Sequence, residues 1–475
     1  MESDSTLRVT IRSTRSWRIP MAQKYTPVIG LIIVISTFWL VNGIGPVWAE
    51  APQSAQKTDG GAGHSQAKEP TRDIRLNQAL ALALARNPAL SAFSKEIRAR
   101  DAQALQEGLL PNPEMSFEID EWGGSSDRTS FDAAETMLRF DQLVELGGKR
   151  AKRKKVAIME RNLGEWDFRS KRLDILQSTT KAFVDTLAAQ QRSQLARETF
   201  GLAQQIFQVV SERVKAGKTS PVEKNKASVE LSKANVELQR TRYEMKAAEK
   251  RLASEWGGEP DEFSSVTGNL EAPTDIPALA DLLKQTRNNP DIARWDAEMD
   301  FRNSALELAK ARRFPDVTVG AGVKRFEVND EMAAVAGFSI PLPIFDRNQG
   351  NIRAARERIT KAKDDRAMAV ILVEKELSET YQALSSFHEQ VEALKNEILP
   401  ASKSVFESTR EGFQQGKFQF LDVLDAQRTF FDAEFQYIEA LQNYHKALAD
   451  VDRLIGTDLD NLSIQSEQKE PGNVH

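Results

Sequence analysis

The chain states one pattern twice, about two hundred residues apart. Arg86-Asn87-Pro88 recurs as Asn288-Asn289-Pro290, and at the same offset of 202 Pro113-Glu114-Met115-Ser116-Phe117 recurs as Pro315-Asp316-Val317-Thr318-Val319. Gly217-Lys218 recurs as Gly416-Lys417 and Trp256-Gly257 as Ile455-Gly456, both at an offset of 199. A tandem repeat this long means one structural unit used twice, where 475 residues would otherwise suggest about three domains. The two copies span 73–257 and 279–456, with 258–278 as the linker between them.

Within each copy, long helical segments flank a short interval of β character. The stretch from Gly148 to Gly217 has no proline and is rich in Ala, Arg, Lys, Gln, Glu and Leu, and its counterpart runs from Gly350 to Gly416. At 1.5 Å per residue each spans roughly 100 Å. Gly201 and Pro400 occupy equivalent places inside these stretches and predict a kink or break there. Each rod turns at a Gly-Lys and returns through a shorter helix, Pro221 to Trp256 or Phe420 to Ile455. Another short helix opens each copy, from Leu76 to Glu107 and from Leu279 to Arg313. Two long rods and two pairs of stacked shorter ones make a four-helix wall.

The β intervals change period. Met115, Phe117 and Ile119 alternate with Glu114, Ser116, Glu118 and Asp120, and 315–327 and 332–343 alternate likewise. Strands are expected at about 113–122, 131–144, 315–327 and 332–343; the second of these rests on its place in the repeat. Strands near ten residues with one apolar and one polar face suit an outer-membrane barrel. Soluble hairpins packed on helices are the alternative. Four strands cannot close a transmembrane barrel, and an open edge in lipid is not viable. Strands that span a membrane therefore demand several chains, and three would supply twelve strands.

The N-terminus carries an export signal. Lys24 precedes an apolar run from Val28 to Val41, followed by Val47-Trp48-Ala49, so residues 1–49 read as a signal peptide, with Met21 as an alternative start. A single membrane anchor is the competing explanation. Residues 50–72 read as a flexible mature N-terminus and 457–475 as a tail. Zero cysteines exclude disulfides, thiolate metal sites and cysteine nucleophiles. Four histidines without ligand spacing argue against a metal centre, and no nucleophile–base pair or phosphate loop points to an enzyme or a cofactor. A net charge of −5 gives no field for nucleic acid, and the run Lys149-Arg150-Ala151-Lys152-Arg153-Lys154-Lys155 has no assigned role beyond a helix start.

Several stretches resemble the TolC family of outer membrane efflux channels: Leu76-Asn77-Gln78-Ala79-Leu80 leading to Arg86-Asn87-Pro88, Glu145-Leu146-Gly147-Gly148-Lys149-Arg150, and Leu421-Asp422-Val423-Leu424-Asp425-Ala426-Gln427-Arg428. The likeness covers roughly 73 to 457. Glu145 to Arg150, together with Pro341-Leu342-Pro343-Ile344-Phe345-Asp346-Arg347-Asn348-Gln349-Gly350, looks most like the heavy-metal (CzcC-like) branch. The resemblance implies a mostly α, tandem-repeat fold: a homotrimer whose twelve-stranded β-barrel lies in outer membrane lipid and continues as a long periplasmic α-helical barrel. It also implies a periplasmic adaptor protein and an inner-membrane RND pump as partners, and a passive export duct for heavy-metal cations. A multidrug or type I secretion duct of the same fold is the alternative within the family, and a soluble periplasmic coiled-coil scaffold the alternative outside it.

By the same resemblance, Asp422 and Asp425 match an aspartate ring at the periplasmic mouth. They lie one helical turn apart, on one face. Asp422 also fits a plain helix-capping role, because its counterpart Glu223 follows Ser220 as N-cap and Pro221 as N1, in capping-box spacing. The tip turns place Gly217, Lys218, Thr219 and Ser220, and Gly416 and Lys417, against the adaptor. Phe413 and Phe418 stand where the family commonly has Tyr and Arg, so an apolar latch of two exposed rings is expected in place of a polar network.

Overall fold

A computed structural model describes residues 73–126, 131–270 and 276–456; the signal peptide, residues 50–72 and the tail 457–475 lie outside the described residues. The first repeat comprises α1 (Leu76–Arg86), α2 (Pro88–Glu107), β1 (Glu114–Asp120), β2 (Glu135–Val144), α3 (Lys149–Lys215) and α4 (Pro221–Ser254). The second comprises α5 (Leu279–Gln285), α6 (Pro290–Ala311), β3 (Val317–Phe326), β4 (Glu331–Ser339), α7 (Gln349–Ala393), a π-turn (Leu394–Ile398), α8 (Leu399–Gln414) and α9 (Phe420–Ile455). The 67-residue α3 packs on α2 and α6 over one part of its length and on α4 and α9 over another. On the other side of the wall, α7 packs on α6 and α9, and α9 also packs on α8.

Two sequence expectations about the helices change and a third holds. Each opening helix is broken by its Asn-Pro pair, because proline disfavours helical backbone in the residue before it. Asn87 and Asn289 are consequently extended N-caps of α2 and α6. Gly201 breaks nothing: α3 runs through it unbroken. One interior glycine costs about 1 kcal/mol, which packing along the rod outweighs. At Pro400 the interruption is real and takes the form of the π-turn just upstream, which lets the chain accommodate the missing N–H.

The two asparagines explain why Asn-Pro recurs. The Asn87 side chain accepts from Ala89 N at 2.8 Å and donates to Glu255 O at 2.6 Å. Asn289 accepts from Asp291 N at 2.8 Å and donates to Leu454 O at 2.8 Å. Each therefore caps the start of one short helix and satisfies a carbonyl at the end of the other, joining α4 to α2 and α9 to α6. Beside the second joint, Arg453 pairs with Asp174 at 2.7 Å and Asp291 at 2.8 Å. The neighbouring Asp452 is buried, and burial pushes its carboxyl up to about 7.

The four strands form one antiparallel sheet in the order β1-β2-β3-β4, so β1 and β4 are its edges. The second strand is shorter than expected, because Phe131–Ala133 form a 3-10 turn before it. The fourth ends at Ser339, which leaves Ile340 and Leu342 outside it. Directly paired residues share a face. The register gathers Met115, Phe117, Leu138, Phe140, Val319, Val323, Met332 and Phe338 on one face, and most of these are exposed. Thr136, Gln142 and Arg325 interrupt that face towards strand ends. The opposite face carries Glu114, Glu118, Asp120, Glu135, Asp141 and Glu331 against Arg139 and Lys324. Here Arg139 binds Asp141 at 2.8 Å and lies across Gly320, where a Cβ would come within 2.6 Å of its Nε. Glycine in this strand makes room for an ion pair.

Candidate channel gate

Both tip turns are built by glycine in the left-handed region, Gly217 at φ 68° and Gly416 at φ 78°. Each closes the preceding helix with the same pair of bonds: Lys218 N to Arg213 O at 2.9 Å with Gly217 N to Val214 O at 3.0 Å, then Lys417 N to Gly412 O at 2.8 Å with Gly416 N to Phe413 O at 3.0 Å. Past the first turn, Ser220 caps α4 by accepting from Val222 N at 3.3 Å. Glu223 does not complete the expected capping box; its carboxylate accepts from the Thr219 hydroxyl instead. The second turn does have a box: Asp422 Oδ2 accepts from Gln419 N at 2.8 Å.

The two aspartates thus separate in role. Asp422 is engaged in the cap. Asp425 has no side-chain partner among the described residues. Both are exposed on one side of α9, while Val423, Leu424 and Ala426 are buried on the other. They open onto a cleft of about 750 Å³ between α8 and α9 that Phe418, Ile398 and Val405 also line.

The two phenylalanines separate as well. Phe418 is 47% exposed and leans on Gly412 across the turn. Phe413, expected to be exposed, is 6% exposed. It packs with Val210, Phe406, Phe420 and Val423, and the Arg213 guanidinium lies 4.2 Å from its ring centroid. Arg213 also donates to Phe413 O at 2.7 Å, so it ties the first hairpin to the second. A second tie joins Arg428 of α9 to Glu230 of α4 beside a charged cleft of about 1000 Å³ along α3. In sequence Arg428 is only the last residue of the Leu421–Arg428 run. Its pairing needed the partner hairpin.

A profile of outer membrane efflux proteins matches residues 79–258 and then residues 283–457, so both repeats are covered. The chain belongs to the outer membrane efflux protein family. It is an outer membrane channel protein with a periplasmic helical portion, as the family resemblance implied. The cobalt-zinc-cadmium resistance protein CzcC of Cupriavidus metallidurans is 35% identical over 82% of this chain and 91% of the relative. The nickel and cobalt resistance protein CnrC of the same bacterium is 32% identical over 62% of this chain and 69% of its own. These relatives agree with membership of the heavy-metal branch of the family. Among solved structures, CusC superposes with a TM-score of 0.67 at 17% identity, over 81% of this chain and 93% of that one. The CmeC channel of Campylobacter jejuni gives 0.68 at 17% identity, over 83% and 89%. At that identity the likeness fixes the fold, which is TolC-like. Among the described residues no helix is long and apolar enough to cross a membrane.

Proposed function

We propose that this outer membrane efflux protein is the exit duct of an RND-type tripartite system that exports heavy-metal cations. The observation that carries this reading is the 35% identity to a cobalt-zinc-cadmium resistance protein over most of both chains. Three copies close the sheet: each β4 edge pairs with the β1 edge of the next copy, giving twelve strands with the apolar face in lipid and the polar face on the pore. Six carboxylates against two basic groups on that polar face make a pore that favours cations. Transport through it is passive, and an inner-membrane pump supplies the energy.

At the other end, the face of α9 that carries Asp422 and Asp425 lines the periplasmic mouth. Asp425 contributes the free charge of the ring, Asp422 a charge already held by its cap, and Phe418 an apolar constriction. Phe413 serves this gate from beneath, by fixing the hairpins through Arg213. The turns Gly217, Lys218, Thr219 and Ser220, and Gly416 with Lys417, form the surface offered to a periplasmic adaptor protein. Deleting the gene is expected to sensitise the host to cobalt, zinc or cadmium, with a plasmid copy restoring resistance. Sensitivity to dyes and antibiotics with unchanged metal tolerance would reassign the cargo.

A further inference from the structure

Just below the sheet, where β4 passes into α7, lies a cleft of about 540 Å³ that contains four arginines. Arg313 follows α6, Arg347 lies in the connecting loop, and Arg353 and Arg356 lie on the first turns of α7. All four are exposed, none has an ion-pair partner among the described residues, and Glu357 is the only carboxylate lining the cleft. Elsewhere in the helical wall some arginines are matched with acids, such as Arg153 with Glu107, Arg161 with Asp101, Arg294 with Asp167 and Arg366 with Asp296, while others, such as Arg98, Arg242 and Arg251, stand singly without an ion pair among the described residues. What marks this place is that four unpaired guanidiniums line one concavity. A bound anion would offset their mutual repulsion beyond what water, salt and Glu357 already screen.

Position selects the anion. The loop that carries Arg347 also exposes Leu342, Ile344 and Phe345, the last 89% exposed. After Asp346, which is held by Asn348 N at 2.8 Å, the apolar side chains give way to cationic ones at Arg347, Arg353 and Arg356, a sequence that suits the boundary between hydrocarbon and headgroup. The first repeat carries exposed Lys154 and Lys155 at the equivalent height, Lys154 being the counterpart of Arg356 at an offset of 202. The rest of the basic run there is partly structural, since buried Lys149 pairs with Asp316 at 2.8 Å and Arg153 with Glu145.

We propose that the Arg313, Arg347, Arg353 and Arg356 cleft binds the phosphate of an anionic phospholipid in the periplasmic leaflet of the outer membrane. Guanidinium forks match phosphate oxygens in pairs, and the exposed apolar loop lies along the acyl chains. The site rests on the outer-membrane location and is independent of gate and cargo.

The test is native mass spectrometry of the purified full-length assembly, counting lipids retained per chain from micelles doped with phosphatidylglycerol or phosphatidylcholine. Wild type is expected to retain phosphatidylglycerol preferentially. Arg353→Gln/Arg356→Gln should bind it about 25-fold more weakly, at roughly fivefold per lost charge near a membrane surface. Arg353→Lys/Arg356→Lys should keep most of the binding. Lys224→Gln/Lys246→Gln, which removes the same charge from α4, should change nothing. Millimolar inorganic phosphate that displaced the lipid completely would assign the site to free phosphate. Undiminished retention by the Gln pair would overturn the proposal. So would an assembly that dissociates with either lipid in the Gln pair while the Lys pair shows no lipid preference, because the cleft would then be a contact between subunits.

Discussion

Substituting Gly412 separates the stability of the tip from its gating. A methyl on Gly412 would come within 2.6 Å of Phe418 Cε2, far inside the 3.4 Å at which ordinary contact begins. The ring must therefore leave its seat. Phe418 is already 47% exposed, so leaving forfeits about half the burial of a phenylalanine, roughly 1 to 1.5 kcal/mol. Against this, alanine in place of glycine inside α8 gains about 1 kcal/mol of helix propensity. The two nearly cancel. Gly412→Ala should keep its unfolding midpoint within a few degrees of wild type, yet raise the closed-state conductance of the purified channel in a planar bilayer as much as Phe418→Ala does. In the double variant nothing remains to clash, so Gly412→Ala should stabilise the Phe418→Ala background by about 1 kcal/mol. A loss of 3 kcal/mol or more in Gly412→Ala would mean that the ring cannot move aside. Unchanged conductance in Gly412→Ala, where Phe418→Ala opens the channel, would detach the seat of the ring from the gate.

Other substitutions probe the joints and the mouth. Asn289→Ala removes the cap of α6 and leaves the buried Leu454 carbonyl unpaired, which should cost about 2 to 3 kcal/mol in denaturant unfolding; the less buried Asn87→Ala should cost less. Asp452 titrates at about 7 in the fold against 3.8 in the unfolded chain. The fold holds that proton more tightly, so the associated stability is complete below about pH 4 and is lost as pH rises through about 7. Between pH 5 and 8 Asp452→Asn should escape about 2 to 3 kcal/mol of the wild-type decline, seen by thermal melts across that range. Asp425→Asn should lower the cation selectivity of single channels without loss of stability. Asp422→Asn should also weaken the α9 cap, by about 1 kcal/mol.

What the sequence disclosed was local or periodic. Gly217 and Gly416 were legible because a left-handed turn residue is a local requirement, and the apolar strand face because alternation survives in any register that pairs like with like. The repeated Asn-Pro was visible but its purpose was not. Its partners, the carbonyls of Glu255 and Leu454, lie 168 and 165 residues away. Phe413 was misjudged partly for the same reason: besides Phe406, Phe420 and Val423 of its own hairpin, its cover includes Val210 and Arg213 of the other. The room that Gly320 makes for Arg139 was not legible, because Arg139 lies on the neighbouring strand. Asp425 kept its candidacy because its depth in α9 removes the capping role that occupies Asp422.

Closure of the sheet between copies is the central claim, and a chain without cysteine allows it to be tested directly. Ser116→Cys on the β1 edge would be paired in turn with Ala333→Cys, Val335→Cys or Gly337→Cys on the β4 edge, all on the polar face. After mild oxidation in isolated outer membranes, at least one pair should give a covalent ladder ending at three chains on a denaturing gel. No ladder from any pair, or recovery of the protein from the soluble periplasm without detergent, would contradict the account.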